Sequence, residues 1–414
     1  MLLRDRLERL GRQPSARAPR RDADLERLAS ELSAEVRENA GGRYVVLEEV
    51  WPMPPSRPGL AGSALVAGLG DAPLHDGGLC FWDTETTGLS GGVGNQVFLL
   101  ATAHRDAGGL LLRQYILPDP AYEGGFLQAV TDDLGASCAL VSYNGRTFDS
   151  PVLEGRLLLS RRSPDCLRLP HLDLLHPVRR VFKARLGQCN LPVVESMVLG
   201  RDRGDDIPGF LIPETYFAYL RTGDPGVLRE VIAHNRQDVV SLSLLLDHLL
   251  ELLEDGGGAH PLDRFGAARL LEAAGQADRA LALYEGLWLE ADGGWDGDVW
   301  PGSWTPVELG YVLGLRLASA RRRRGEHAAA EPVLESILRA HPAPWQAAIM
   351  LAKDLEHRRR DRSAALEVTS AARAALEATY VRSGLDERCL EDLTRREARL
   401  ERRVGAASAP SAAA

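Results

Sequence analysis

The apolar residues in the centre of the chain fall into short runs separated by polar turns, whereas those of the last third recur at helical spacing. An Asp-Ala-Gly-Gly turn between two of the apolar runs predicts a hairpin. Strand-like runs followed by strand–helix alternation predict an α/β domain with a mixed sheet. Strands are predicted at 79–83, 97–105, 110–118 and 138–144, and helices at 124–134, 148–161, 213–221 and 226–253.

The N-terminal segment differs from this central pattern. Residues 1–40 predict one or two charged helices, since Leu25, Leu28, Leu32 and Val36 recur at spacings of three to four. Residues 52–78 are rich in Pro and Gly, which is typical of a loop or linker. We therefore assign 1–75 to a charged helical segment with a linker, and 76–254 to the α/β domain.

Beyond residue 255 the strand signals disappear and the chain is rich in Ala, Leu and Arg. A pattern of small and apolar residues occurs twice, and a weaker copy follows. The three copies are Gly275, Ala280 and Tyr284; Gly325, Ala330 and Leu334; Asp361 and Ala365. Such recurrence is typical of stacked helical hairpins, and tetratricopeptide repeats recur near 34 residues. We predict a tetratricopeptide-like region over 260–404, with an irregular helical bundle as the alternative, and a disordered tail over 405–414.

Composition narrows the class of protein. The chain has 414 residues, 45% of them hydrophobic, and a net charge of −9, so it is neither a disordered chain nor a basic nucleic-acid coat. No apolar run approaches the roughly 18–20 residues of a membrane span, and charges interrupt the N-terminus, so we expect neither a membrane protein nor a secretory signal. The five scattered cysteines form no Cys-x-x-Cys pair, which favours a reducing, cytoplasmic location over a disulfide framework or a zinc site.

Candidate chemistry begins at FWDTETTGL, residues 81–89. Asp83 ends an apolar strand and Glu85 follows two positions later, so both carboxylates project to the same side of extended backbone. Two anions so close repel each other unless a cation lies between them, and hard oxygen ligands select Mg²⁺ or Mn²⁺. The alternative is a solvated acidic turn.

Two further motifs supply additional candidates. LVSYNGRTFDSPVL, residues 140–153, delivers Tyr143 and Asn144 from a strand and places Asp149 near a helix start. There the acid also suits a cap or first-turn position. HNRQD, residues 234–238, puts His234 and Asp238 on one helical face, as a surface pair would. Alone, each motif is weak.

The three motifs together make a stronger case. Asp83, Glu85, Asp149 and Asp238 are expected to gather at one site and hold two divalent ions. Two such ions roughly 3.5–4 Å apart stabilise the attacking and leaving oxygens of a phosphoryl displacement. His234 is the candidate that orients or deprotonates the attacking water, since its ordinary pKa is near neutrality.

These motifs resemble those of the DEDD exonuclease superfamily, which has a ribonuclease-H-like fold. DTETTGL looks like its first motif, YNGRTFD its second and HNRQD its third. More narrowly, the chain resembles bacterial and archaeal predicted ribonuclease-H-like proteins, through DDIPG at 205–209 and IPETYFAYLRTGD at 212–224. The resemblance covers about 79–253. Members of that group often carry C-terminal tetratricopeptide-like helices.

The resemblance implies roles for individual residues. The four acids would hold two Mg²⁺ or Mn²⁺ ions and His234 would be the general base. One departure is visible: the histidine stands at the spacing of the family's tyrosine form, with residues 235–237 between it and Asp238. The substrate-binding residues implied by the first two motifs are Thr86, Thr87, Gly88, Leu89, Asn144 and Phe148.

We therefore expect a metal-dependent nuclease, a 3′–5′ exonuclease on single-stranded DNA or RNA, with a protein partner for the helical repeats. The alternative is a non-catalytic domain that binds a nucleic-acid end while the repeats recruit a protein. The arginine-rich runs 321–324 and 358–362 suit either phosphate contacts or a solvated helix face.

Overall fold

The structure is a computed structural model, and the chain divides into two compact units, Met1–Gly257 and Gly258–Ala414. The predicted helix before residue 22, most of the linker 52–78, and residues 409–414 lie outside the described residues. The described residues are 22–53, 63–65, 78–88, 94–106, 108–254, 256, 259–292, 305–383 and 387–408.

The first unit is built on one mixed sheet with helices packed around it. Its strands are β1 (Glu35–Asn39), β2 (Gly42–Trp51), β3 (Leu79–Thr86), β4 (Val97–Asp106), β5 (Gly109–Ile116), β6 (Ala139–Ser142) and β7 (His171–Asp173). Its helices are α1 (Asp22–Leu32), α2 (Glu123–Gly135), α3 (Asp149–Leu159), α4 (Leu175–Leu186), α5 (Leu191–Met197), α6 (Ile212–Thr222) and α7 (Arg229–Glu254).

The strand order is β1-β2-β5-β4-β3-β6-β7. The pairs β1–β2, β2–β5, β5–β4 and β4–β3 are antiparallel, whereas β3–β6 and β6–β7 are parallel. This is the mixed sheet that the sequence predicts, and the β4–β5 hairpin is confirmed. The apolar residues of β3 are buried, as expected for a strand inside a covered sheet.

The N-terminal segment is the main difference from the sequence prediction. Helix α1 ends at Leu32, and residues 35–51 form the β1–β2 hairpin instead of continuing the helix. Leu25 and Leu28 lie on the helix as predicted and are fully buried, but Val36 lies on a strand. Ser33, with φ of 55°, turns the chain at the end of the helix, and Gly42, with φ of 119°, a conformation that favours glycine, follows the turn between the two strands.

A second difference follows β7. The predicted elements include neither of the two helices that come next in the chain: α4 begins at Leu175, and a further helix, α5, follows it. The long helix predicted over 226–253 is confirmed as α7, which a short 3₁₀ turn at Pro225–Leu228 precedes. The helix predicted over 213–221 is confirmed as α6.

The second unit is helical throughout its described residues. Its helices are α8 (Pro261–Ala273), α9 (Ala277–Asp292), α10 (Pro306–Arg323), α11 (His327–Ala340), α12 (Trp345–His357), α13 (Arg362–Ser383) and α14 (Glu387–Ser408). Helix α14 includes residues 405–408, which the sequence analysis assigned to a disordered tail. Among the residues that the structure describes, no helix is long and apolar enough to cross a membrane.

Three helical hairpins have a residue with positive φ in the turn between their helices. Gly275, Gly325 and Arg360 all have positive φ, of 78°, 80° and 58°, between the helices of α8–α9, α10–α11 and α12–α13. Five residues after each stands a buried alanine: Ala280, Ala330 and Ala365. The third copy therefore begins at Arg360, one residue before the Asp361 that the sequence comparison chose.

The arginine run 321–324 takes part in ion pairs within the second unit. Its partners, in order, are Glu285, Asp354, Glu272 and Asp278. Because each guanidinium already faces a carboxylate, this run fits a structural role better than phosphate binding.

Candidate active site

The first two acids lie on the central strand. Asp83 and Glu85 alternate with buried Thr84 on β3, so their side chains share one face of the sheet. The pairing of β3 with β4 shifts register between Glu85 and Thr86. Such an irregularity redirects the chain at a strand end, which is where ligands meet an α/β sheet.

Asp149 is the first residue of α3 and is reached through a tight turn after β6. Asn144 has φ of 66° in that turn, and its backbone N–H donates to Oδ1 of Asp173 at 2.7 Å. A Cβ on Gly145 would lie 2.5 Å from Ser142 Oγ and 3.1 Å from Asp149 Oδ2, so only glycine fits between them. The Thr84 hydroxyl donates to Asp149, which ties this acid to β3.

The third motif lies in the first half of α7. Nε2 of His234 is 3.9 Å from Glu85 Oε1 and 3.7 Å from Asp238 Oδ2. Asn235, the next residue, is fully buried, and its Nδ2 donates to Asp83 Oδ2 at 2.9 Å. The helix therefore brings the histidine and the fourth acid to the same place as the two acids of β3.

The pKa values show that the acids act on one another. Burial raises the pKa of Asp83 well above its ordinary range, and the charges of Asp238 and Asp149 raise it further. Burial, then Asp83 and Asp238, do the same to the pKa of Glu85. Burial raises the pKa of Asp149 to about 6, although the Thr84 hydrogen bond opposes this. All four predicted acids are thus within electrostatic reach of one another.

An arginine that the motifs did not identify occupies this site. The Arg203 guanidinium is 8% exposed, and its Nη2 donates to Asp238 Oδ1 at 2.5 Å. Its Nη1 donates to Asp206 Oδ2 at 3.1 Å, and its Nε donates to the fully buried Glu195. Burial lowers the pKa of Arg203, but its acidic partners raise it overall, so it stays charged.

Asp206 also holds the histidine. Nδ1 of His234 lies 2.8 Å and 2.9 Å from the two oxygens of Asp206. Burial acts against ionisation of Asp206, yet its hydrogen bond with His234 keeps the pKa of Asp206 lowered. An ionised carboxylate only accepts, so Nδ1 carries the hydrogen and Nε2 faces Glu85 and Asp238. Burial lowers the pKa of His234, but Asp206 and Asp238 raise it overall.

Several positioning residues were missed because their partners are distant in sequence. Gln114 on β5 donates to the Asn235 side chain at 3.1 Å, which orients the amide toward Asp83. Asp173, at the end of β7, accepts from the backbone of Asn144. The family resemblance included residues 205–209, which contain Asp206, but it implied no role for that residue. Asn235 stands inside the third motif, but its role depends on its burial beside Asp83, which the sequence alone does not show.

The predicted substrate-binding residues lie around the first two motifs, and Leu89 lies outside the described residues. Phe148 is 49% exposed immediately before Asp149, so its ring is available beside the acids. Thr87 exchanges hydrogen bonds with Gln96, its N–H donating to the carbonyl at 3.0 Å. Thr86 donates to the Gly88 carbonyl at 2.8 Å, so the segment 86–88 is held in place.

The chemistry of the four acids suits divalent cations. Their carboxylates are buried and repel one another, and a hard cation that prefers oxygen ligands would reduce this repulsion. Within the described part of the chain, however, no group of three or more His, Cys, Asp or Glu side chains is placed to hold a metal ion. Three acids are instead bound by protein donors. These pairs are Asp83 with Asn235, Asp149 with Thr84, and Asp238 with Arg203. Metal binding would require Arg203 at least to release its acid.

Known proteins support the fold and the family. The RNase_H superfamily model matches residues 80–250, a range that contains all the motif residues above. An uncharacterized protein of Bacillus subtilis (strain 168), YprB, is 32% identical over 301 residues, which cover 70% of this chain and 68% of that protein.

Among solved structures, the family B DNA polymerase of the hyperthermophilic archaeon Pyrobaculum calidifontis is similar, with 15% sequence identity and a TM-score of 0.36. The similarity covers 87% of this chain and 57% of the polymerase, and it is too weak to support an argument about function. The sheet, the matched range and the Bacillus relative agree with one another. Residues 80–250 therefore form an RNase_H superfamily domain, and the chain belongs to one family with YprB of Bacillus subtilis.

Proposed function

We propose that the chain hydrolyses phosphodiester bonds of single-stranded nucleic acid as a metal-dependent 3′–5′ exonuclease. The observation that carries this proposal is the electrostatic coupling of Asp83, Glu85, Asp149 and Asp238, which reach one site from a strand and two helices. An RNase H-like fold is usually that of a nuclease, a hydrolase of phosphodiester bonds. The direction of cleavage rests on the resemblance of the three motifs to DEDD exonucleases.

His234 is the proposed general base. Its Nε2 faces Glu85 and Asp238, while Asp206 accepts the Nδ1 hydrogen and so fixes the orientation of the ring. When Nε2 takes the proton of the attacking water, the Asp206 carboxylate stabilises the resulting imidazolium. An acid–histidine pair of this kind positions the base before the substrate arrives.

The four acids would hold the ions, two of Mg²⁺ or Mn²⁺ according to the motif resemblance. When bound, such ions polarise the phosphate and make water more acidic. The protein's own share is to orient the acids. Asn235 holds Asp83 and Thr84 holds Asp149, so each acid keeps its position in the absence of a cation.

For the substrate, we propose that the exposed ring of Phe148 stacks on a base beside the cleaved bond. Stacking of a base on an aromatic side chain contributes about 1–3 kcal/mol and tolerates any sequence. Asn144 and the segment 86–88 would contact the end of the strand.

A second function is favoured by the Arg203 contact. A guanidinium on Asp238 offsets the charge of an acid without any metal. A protein that keeps this contact would bind a strand end without cutting it, and the helical hairpins of the second unit would recruit a protein. The two functions differ in whether divalent ions displace Arg203.

The test uses the full chain with end-labelled single-stranded DNA and RNA in Mg²⁺ or Mn²⁺. We expect one-nucleotide products released from the 3′ end, and loss of cleavage in Asp83→Asn. Asp165→Asn, which removes a 68% exposed acid of the same unit, is the matched control and should cut at the parental rate. Strand binding without cleavage under all these conditions would favour the second function.

A further inference from the structure

A cavity of about 550 Å³ adjoins the second motif, between Tyr143 and Asn144 on one side and helix α4 with the loop after it on the other. Its volume falls within the roughly 300–1,000 Å³ typical of small-molecule sites. Of the residues that line it, only Asn144 has a role assigned above.

Two cations line this cavity. Arg179 and Lys183 stand one turn apart on α4, so both project from the same face of the helix. Both side chains are exposed, and neither forms an ion pair with a carboxylate of the described residues. Burial raises the pKa of the Cys189 thiol in the cavity wall, and the two cations act against that rise. Their positive charges therefore act on groups in the cavity wall.

The remaining wall is polar and held in place. The Tyr143 hydroxyl donates to the Cys189 carbonyl at 2.5 Å and fixes the loop that follows α4. Asn190 caps α5, since its Oδ1 accepts from the Val193 N–H at 3.1 Å. Gln188 adds a second amide to the wall. Two cations with amides and an aromatic ring match a phosphate and a base better than an apolar ligand.

The cavity adjoins the second motif, which also carries Asp149. Asn144 lines it, and the following residue, Gly145, packs so tightly on Asp149 that a Cβ there would lie 3.1 Å from Oδ2. A strand with its scissile phosphate at the acids would reach this cavity with a neighbouring nucleotide.

We propose that this cavity binds a nucleotide next to the cleaved bond, with Arg179 and Lys183 on its phosphate and the amides of Gln188 and Asn190 toward its base. The assignment rests on the proposed function for the substrate class. It adds a subsite outside the three motifs and names the residues that would set the affinity for the strand.

The test measures binding by fluorescence anisotropy of a labelled oligothymidylate and an oligouridylate, in EDTA so that no cleavage occurs, at several salt concentrations. Each phosphate that a protein neutralises on a single strand contributes ~0.7 to the slope of log K against log salt, so Arg179→Gln/Lys183→Gln, which frees one phosphate, should lower that slope by ~0.7. Lys183→Arg should keep the slope. Arg180→Gln is the matched control, since Arg180 is an exposed neighbour on α4 that does not line the cavity.

The outcomes separate the two proposals. An equal loss in Arg180→Gln and the double variant, or no loss in the double variant, would overturn the subsite. A parent that binds neither strand would also overturn it. If the parent binds with the expected slopes but never cleaves when metal is added, the subsite stands and the nuclease activity falls. If thymidine monophosphate competes with the oligonucleotide and inorganic phosphate does not, the cavity recognises the whole nucleotide. If inorganic phosphate alone displaces the oligonucleotide, the cavity is only an anion site and the proposal is contradicted.

Discussion

Nη2 of Arg203 lies 2.5 Å from Oδ1 of Asp238, so a cation of the protein itself occupies one of the four acids proposed to bind metal. The guanidinium is held from its other side by Glu195, which is fully buried. The Oε1 atom of Glu195 has no hydrogen-bond partner in the described structure. Removal of Arg203 would thus leave a buried carboxylate without its counter-charge.

The first prediction concerns this contact. Arg203→Met should lower the free energy of unfolding by about 3–5 kcal/mol, the usual cost of leaving a buried ion partner uncompensated. Arg203→Met/Glu195→Gln should recover part of that loss, because the fully buried position 195 no longer carries an uncompensated charge, whereas Asp206 and Asp238 remain without their cation. In the double variant Mn²⁺ should raise the melting temperature more than in the parent, since no guanidinium competes for Asp238. Melting curves over a Mn²⁺ series measure both effects, and equal Mn²⁺ responses would show that Arg203 does not compete with metal.

The second prediction concerns His234. Because a positioned general base typically contributes ~10²–10⁴-fold, His234→Ala should reduce the cleavage rate by about that factor. The Mn²⁺-induced rise in melting temperature should persist, since the acids remain. Asp206→Asn should reduce the rate less, because the base is still present but poorly held. His176→Ala, which removes an exposed histidine of the same unit, serves as the control. An unchanged rate in His234→Ala would mean that another group activates the water.

The sequence predicted the elements whose signals are local. The β4–β5 hairpin, α2 and α7 follow from apolar runs, a glycine turn and helical period. The β1–β2 hairpin was missed because the spacing of Leu25 to Val36 continues a helical pattern past the true end of α1. Its strand β2 is stabilised by pairing with β5, as in Val45 opposite Ile116, which no local pattern reveals.

The candidate site shows the same division. Asp83, Glu85, Asp149, His234 and Asp238 stand in recognisable motifs, and the structure brings them within electrostatic reach of one another. Arg203 and Asp206 were missed because their partners on α7 lie 35 and 28 residues away, with helix α6 between them in the chain. Ion pairs of that kind depend on tertiary packing rather than on spacing.

The third prediction concerns stability in acid. Burial alone would raise the pKa of Asp133, but hydrogen bonds from His104, Thr102 and Tyr115 lower it to about 2. A lowered folded-state pKa stabilises the fold above the unfolded value of about 3.9, and this contribution is lost as pH falls through about 2. The lowered pKa of Asp133 contributes about 2–3 kcal/mol to the free energy of unfolding at neutral pH. Asp133→Asn should therefore be less stable than the parent at neutral pH and lose less stability between about pH 4 and 2. Urea midpoints across that range measure it, and parallel pH profiles would contradict the assignment.

The last prediction tests the equivalence of the helical turns in the second unit. Gly325 and Arg360 both have positive φ, but only glycine adopts this conformation without a steric cost of about 1–2 kcal/mol. No atom lies within 4 Å of a Cβ built on Gly325, so Gly325→Ala should lose about that amount through backbone strain alone. Arg360→Gly should raise the free energy of unfolding by up to about 1 kcal/mol. This gain is smaller than the strain relieved, because glycine also gives the unfolded chain more conformational freedom. Arg360 is exposed and forms no ion pair with a described residue, so no contact is lost in exchange. Thermal unfolding of both variants gives the two signs. If Arg360→Gly destabilised the unit as Gly325→Ala does, the third hairpin would not share the turn of the second, and the repeat would end after two copies.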